Sequence, residues 1–254
     1  MRPKVIAGNW KMHHGPTATR RFFSKFFVEF SPRLSDAEPT ILIFPPALSL
    51  LAAAESRGGR PEISLGIQNI HWEARGAFTG EHSAGMALAA GARFALVGHS
   101  ERRHVFGETD AEVERKVAAA MHEGLAPVVC VGETLDERRN GRVEEVIVRQ
   151  LDAALLGIPE DSKKSILMAY EPVWAIGTGE TATADDVADA HSILRRRLRE
   201  VRGDGYAQGV AILYGGSVKP DNAAELLAVS DVDGVLVGGA SLDPESFARI
   251  AEAA

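Results

Sequence analysis

Eight short apolar runs recur along the chain and constrain its fold more than any other feature. They begin at Val5, Thr40, Ile63, Phe94, Ala126, Ile166, Val210 and Asp233. A strand with one face in water alternates polar and apolar residues, whereas a strand covered on both faces, as in a parallel sheet, is apolar almost throughout. The runs therefore predict eight buried parallel strands.

Helical signals fill the segments between these runs. Thr109 with Glu112 and Thr134 with Glu137 have the spacing of capping boxes, and Asp243 followed by Pro244 is typical of a helix start. One later helix is expected to bury an apolar stripe of Val187, Ala190, Leu194, Leu198 and Val201. Strands and helices thus alternate along the whole sequence.

Eight strand-helix units in 254 residues predict an α/β protein, a single-domain (β/α)8 barrel with eight parallel strands over residues 1–254. The alternative is a doubly wound open sheet. Its usual glycine-rich fingerprint is missing after the first strand, where the sequence reads AGNWK.

Charge and cysteine content limit the partners and the compartment. The net charge of -7 argues against nucleic acid or an anionic membrane surface as a partner, so an anionic ligand must be held locally. Cys130 is the single cysteine, which suits a reducing compartment. No apolar stretch approaches the roughly 20 residues of a membrane helix, and the first residues do not resemble a secretion signal. We expect a cytoplasmic protein.

The polar residues at strand ends are the candidates for chemistry, because the loops that follow the strands build the functional face of a barrel. Glu171 ends the sixth run and could be a general base or only a solvated carboxylate. The loop after it has an apolar middle that would be wasted in water but could cover a site. This predicted lid consists of Pro172, Val173, Trp174, Ala175, Ile176, Gly177, Thr178 and Gly179.

Three further strand-end residues have side chains suited to a reaction at a carbonyl group. His99 precedes a short helix start, which would keep its ring neutral; the alternative is a structural or metal-binding histidine. Lys11 could stabilise negative charge and Asn9 could shape the site, unless they are a surface lysine and a turn residue. Glycine pairs at 215–216 and 238–239 favour a phosphate site.

In order along the chain, the segments NWKM from Asn9, GAFTGE from Gly76, GHSERR from Gly98, AYEPVWAIGTG from Ala169 and YGGSV from Tyr214 resemble the triosephosphate isomerase family. The resemblance implies a TIM barrel with Glu171 as base, His99 as electrophile, and Lys11 with Asn9 at the oxyanion. It also implies supporting positions behind the site at Glu101, Ser100 and Cys130, although a buried inert thiol is the favoured interpretation of Cys130.

The same resemblance implies a substrate and a partner. Phosphate would be bound by Gly177, Ser217, Gly238 and Gly239, together with Asn9 and Lys11 at the reacting end. A homodimer is expected, with the loop of Phe78, Thr79, Gly80 and Glu81 entering the second copy. The implied activity is interconversion of D-glyceraldehyde 3-phosphate and dihydroxyacetone phosphate, in glycolysis and gluconeogenesis, with no metal or cofactor. The alternatives are an isomerase of a four-carbon sugar phosphate and a non-catalytic phosphate-binding barrel.

Overall fold

The eight predicted strands form one closed barrel in the computed structural model, which describes residues 2, 4–30, 39–160, 162, 166–176 and 180–254. Each strand pairs in parallel with the next, and β8 pairs with β1 to close the ring. The (β/α)8 prediction is confirmed, and the open sheet is excluded. The strands are β1 (Val5–Asn9), β2 (Thr40–Phe44), β3 (Ile63–Ile67), β4 (Phe94–Val97), β5 (Ala126–Val131), β6 (Leu167–Tyr170), β7 (Ala211–Tyr214) and β8 (Gly234–Val237).

Helices connect successive strands around the outside of this barrel. In chain order they are α1 (Pro16–Glu29), α2 (Leu50–Arg57), α3 (Ala84–Ala89), α4 (Ser100–Val105), α5 (Asp110–Glu123), α6 (Leu135–Arg139), α7 (Val143–Leu156), α8 (Ala184–Gly209), α9 (Ala223–Ala228) and α10 (Pro244–Glu252). Short 3-10 turns lie at Ala47–Ser49, Val173–Ala175 and Gly239–Leu242. Within the described residues, none of the helices is both long and apolar enough to cross a membrane.

Local sequence signals place the helix starts correctly. Both capping boxes form, at Thr109 before α5 and at Thr134 before α6, and Asp243 caps α10 by accepting from the Ser246 amide. The stripe on α8 is buried except for Val201, which is 44% exposed, so that part of the prediction is wrong. Val201 lies two residues before Gly203, whose φ of 82° interrupts the helix and ends the regular stripe.

Alternate residues of the strands divide the core into two layers. One cluster contains strand residues only, among them Ala7, Leu42 and Leu213, and fills the inside of the barrel. The other joins the outward-facing strand residues to the helices through side chains such as Phe23 and Val117. Because both faces of the strands are covered, the strands are apolar almost throughout, and most candidate polar residues lie at or just after their carboxyl ends.

Candidate active site

A cavity of about 280 Å³ opens at the carboxyl ends of the strands. It is lined by Asn9, Lys11, His99, Glu171, Ser217, Gly238 and Gly239, which are the described residues predicted for catalysis and substrate binding. They come from strand ends far apart in sequence and meet only because the barrel closes. Gly177, Thr178 and Gly179, also predicted for the lid or the phosphate site, lie outside the described residues.

Glu171 directly follows β6, and its side chain is buried. One carboxylate oxygen, Oε1, lies 3.0 Å from His99 Nε2, and the other accepts a 2.9 Å hydrogen bond from the Ser100 amide. Burial by itself would raise the pKa of this carboxyl, but His99, the Ser100 amide and Lys11 together lower it. Glu171 is therefore ionised at neutral pH and available as a base once an oxygen leaves these partners.

His99 is the N-cap residue of α4, as its position before a short helix predicts. Its Nδ1 accepts a 3.2 Å hydrogen bond from the Glu101 amide, so the neutral ring carries its proton on Nε2, facing the cavity. Burial opposes a charge on the ring, but the adjacent carboxylate of Glu171 outweighs it and raises the pKa of His99. Moving that carboxylate away would favour the neutral ring, which can donate to an oxygen.

Asn9 and Lys11 share one tight turn at the end of β1. The Asn9 side-chain oxygen accepts from the Lys11 amide at 3.0 Å, and Lys11 has a left-handed φ of 48°. This turn directs the Lys11 ammonium to the cavity mouth, where it contacts Glu101 Oε1 at 2.5 Å. The amide nitrogen of Asn9 lies 3.2 Å from His99 Nε2. Gln68, which the sequence analysis did not single out, donates from its side-chain amide to the Lys11 carbonyl at 2.9 Å and supports the turn.

The opposite end of the cavity is built from backbone. Ser217 follows β7, and Gly238 and Gly239 lead into the 3-10 turn after β8. The first N–H groups of such a turn have no partner within it and suit an anion. Lys219 also lines this end, and the sequence analysis did not single it out.

The start of the predicted lid is held by a buried carboxylate, Glu133, which is 0% exposed. It accepts hydrogen bonds from the Tyr170 hydroxyl at 3.1 Å and the Trp174 indole N–H at 2.8 Å. Arg138 binds Glu133 at 3.0 Å and lies over the Trp174 ring. The sequence analysis singled out neither Glu133 nor Arg138. The sequence signal that could have identified Glu133 is a carboxylate at a strand end, directly before a capping box.

The structure describes all three residues that the resemblance implies behind the site, and Glu101 contacts Lys11 as described above. The Ser100 amide binds Glu171, and Cys130 is buried inside the barrel on β5. Burial raises the pKa of the Cys130 thiol well above its ordinary value, and the Glu171 carboxylate adds to the effect. The thiol is therefore protonated and unreactive. Among the described residues, no three His, Cys, Asp or Glu side chains are grouped to hold a metal ion.

Comparison of the sequence with known proteins identifies a matching family and several relatives. A family model described as Triosephosphate isomerase matches residues 4–254. A triosephosphate isomerase of Solibacter usitatus is 49% identical over 252 residues, which cover 98% of this chain and 99% of that relative. The triosephosphate isomerase of Thermoanaerobacter pseudethanolicus is 45% identical over 250 residues, which cover 98% of this chain and 99% of that relative. The one of Moorella thermoacetica is 46% identical over 250 residues, which cover 98% of this chain and 98% of that relative. The similarity covers every strand of the barrel.

Proposed function

This chain belongs to the triosephosphate isomerase family, and we propose that Glu171, His99, Lys11 and Asn9 carry out the reaction of that family. The protein is an intramolecular aldose-ketose isomerase that interconverts D-glyceraldehyde 3-phosphate and dihydroxyacetone phosphate. The relatives' names do not favour a four-carbon substrate or a non-catalytic barrel.

Glu171 is the base in this proposal. Its carboxylate leaves the Ser100 amide and takes a proton from the carbon next to the substrate carbonyl. The electron pair of that C–H bond forms the carbon–carbon double bond of an enediolate, and negative charge moves to the carbonyl oxygen. Return of the proton to the neighbouring carbon completes the isomerisation. A positioned base contributes about 10² to 10⁴ in rate, so the charge on oxygen must also be stabilised.

His99 and Lys11 stabilise that charge. The Nε2–H of His99 faces the cavity and donates to the developing oxyanion, and then moves protons between the two oxygens of the intermediate. The Lys11 ammonium supplies a fixed positive charge, aimed by the turn that Asn9 holds. Contacts with Glu171 and Glu101 restrain the His99 and Lys11 side chains, which would limit the cost of reorganising them during the reaction.

The phosphate of the substrate occupies the backbone end of the cavity. We assign it to the N–H groups of Ser217, Gly238 and Gly239, and by family resemblance to that of Gly177. The net charge of -7 provides no general attraction for an anion, so a local site is needed. Binding energy from this remote group can stabilise the transition state at the reacting carbons.

The lid at residues 172–179 would exclude water from the intermediate. Support comes from its apolar start, where Ala175 is buried and Ile176 lines the cavity. An enediolate that meets water can lose its phosphate by elimination, so exclusion of water protects the product.

We also propose a cytoplasmic homodimer that serves glycolysis and gluconeogenesis. Large apolar side chains are exposed in the segments that follow β1, β2 and α4, including Met12 at 94%, Leu48 at 87% and Phe106 at 68%. The loop at residues 76–81 is exposed as well, with Phe78 at 43%. A second copy of the chain would cover this surface, with Thr79 reaching toward the neighbouring cavity.

The burial of Glu171 between His99 and Ser100 is the observation that carries the assignment of the base. In a coupled isomerase assay, Glu171→Gln should lose at least about 10²-fold in kcat, because the amide keeps the shape but cannot accept the proton. Thermal unfolding of both proteins controls for folding. Equal rates for the wild type and the variant would contradict the role of Glu171, and an inactive wild type would contradict the assignment of the whole site.

A further inference from the structure

Arg138 lies between the two ends of the loop that follows β6. On one side it contacts the start of the predicted lid, where its guanidinium lies 4.9 Å from the centre of the Trp174 ring and its Nη1 donates to Glu133 at 3.0 Å. On the other side its Nη2 pairs with Asp186, in the first turn of α8. One side chain thus contacts both the start of the lid and the helix that follows it.

Asp186 uses its two carboxylate oxygens for different partners. Oδ2 accepts from the amide and the hydroxyl of Thr183, at 2.9 and 2.8 Å, and completes the capping box that begins α8. Oδ1 faces Arg138. The pair is half-buried, with the Arg138 and Asp186 side chains 23% and 28% exposed. Its electrostatic attraction is therefore screened less than that of a surface pair.

We propose that Asp186 is a positioning residue for the lid. Asp186 acts through Arg138, which holds Trp174 against Glu133. Glu133, Arg138 and Asp186 then form a link that fixes the start of the lid to the helix that follows it. This role rests on the proposed function, since it assumes that the loop covers an intermediate. The link lies outside the cavity that binds substrate, so it affects the protection of the intermediate rather than the proton transfer.

The link depends on one oxygen of each carboxylate, Glu133 Oε1 and Asp186 Oδ1, which both contact Arg138. A second Asp–Arg pair, between Asp152 on α7 and Arg197 on α8, has distances of 2.8 and 2.9 Å and exposures of 37% and 33%. It joins α8 to α7, and within the described part of the chain the side-chain hydrogen bonds of Arg197 go to Asp152 and Glu200, not to Glu133. Loss of this pair should affect the attachment of α8 only. It is a matched control for Asp186.

The test compares Asp186→Asn, Asp152→Asn and Thr183→Ala with the wild type. Asparagine at 186 keeps an oxygen for the cap but loses the charge that binds Arg138, whereas alanine at 183 removes the capping hydroxyl and leaves the ion pair. Each protein is assayed for inorganic phosphate released per isomerisation. In elimination, the C–O bond to phosphate breaks and the carbon fragment becomes a dicarbonyl compound. This ratio reports on leakage from the site, which simple destabilisation does not change.

We expect the phosphate ratio of Asp186→Asn to rise about two- to fivefold, the range of one partly exposed ion pair. The ratios of Asp152→Asn and Thr183→Ala should match that of the wild type. Equal ratios in Asp186→Asn and Asp152→Asn would overturn the proposal, as would an equal rise in Thr183→Ala. If Asp186→Asn does not fold, Asp186→Ser removes the same charge and takes its place.

A second measurement does not depend on activity. Fluorotryptophan labels the three tryptophans, and the signal lost in Trp174→Phe identifies Trp174. Its fluorine resonance should shift or broaden in Asp186→Asn but not in Asp152→Asn; an unchanged resonance would overturn the proposal. If the wild type proves inactive, the proposed function fails, and this resonance still tests the link on its own.

Discussion

Replacing Gly132 by alanine should displace the proposed base through backbone contact alone. A Cβ atom at Gly132 would lie 1.8 Å from the carbonyl oxygen of Glu171 and 2.6 Å from its carbonyl carbon. Real Cβ atoms essentially never approach other atoms closer than 3.0 Å, so the two residues must separate by about 1.2 Å. Gly132 has little freedom to move, since the buried Gln150 amide binds its N–H at 2.8 Å and its carbonyl at 3.2 Å.

The size of the effect follows from that displacement. Misplacing a reacting group by about 1 Å costs on the order of 10²-fold in rate, so we expect the kcat of Gly132→Ala to fall about 100-fold. Overpacking of this kind costs about 1–3 kcal/mol of stability, less than the about 5–15 kcal/mol of a typical protein. The variant should therefore fold with an intact but misaligned site.

The assay is coupled isomerase turnover, with urea unfolding as the test of folding. Gly59→Ala is the control, because a Cβ at Gly59 meets no atom within 4 Å and its φ is not in the left-handed region. Its kcat and unfolding midpoint should equal those of the wild type. A folded Gly132→Ala protein with wild-type kcat would refute the reasoning, since the base would then tolerate a shift of its own backbone.

Two further predictions concern buried charge. Burial lowers the pKa of His191 from 6.5 to about 4, so between these pH values the unfolded chain binds a proton that the folded protein does not. The free energy of unfolding should therefore fall by about 3 kcal/mol from pH 6.5 to pH 4 through this residue. The urea midpoint should depend less on pH in His191→Gln than in the wild type, and an equal pH dependence in both proteins would contradict this prediction. Lys116→Met removes a cationic partner at 2.7 Å from the buried carboxylate of Glu108 and should cost about 3 kcal/mol of stability. Arg102 also pairs with this carboxylate and should reduce the loss. An unchanged urea midpoint would contradict this prediction.

The fold was predictable because its determinants are local in sequence. A continuous apolar run reports burial on both faces, and the strands were therefore found. A capping box needs only four consecutive residues and an N-cap before Pro only two, so the starts of α5, α6 and α10 were found as well. The exposure of Val201 was missed because it depends on the interruption of α8 at Gly203, and a glycine inside a helical pattern does not reveal its own φ.

That the residues proposed to react line one cavity was also predictable, because a barrel gathers its strand ends. The groups that hold them in place were not. Arg138 and Asp186 are 48 positions apart, and on their own helices each looks like an ordinary solvated charge. Gln150 binds a backbone 18 positions away. Such contacts become visible only once the order and the register of the strands are known.

The position of Glu171 follows from barrel closure more than from its own loop. Its amide donates to Val131 at the end of β5, and its carboxylate is bound at the end of β4 by His99 and Ser100. On the other side, a Cβ at Gly215 would lie 2.8 Å from Glu171 Cγ, so glycine is needed after β7 to leave room for the Glu171 side chain. Neighbouring strands thus restrain the side chain from several directions. Because packing has already restricted the carboxylate, little conformational entropy remains to be lost when it turns toward the substrate.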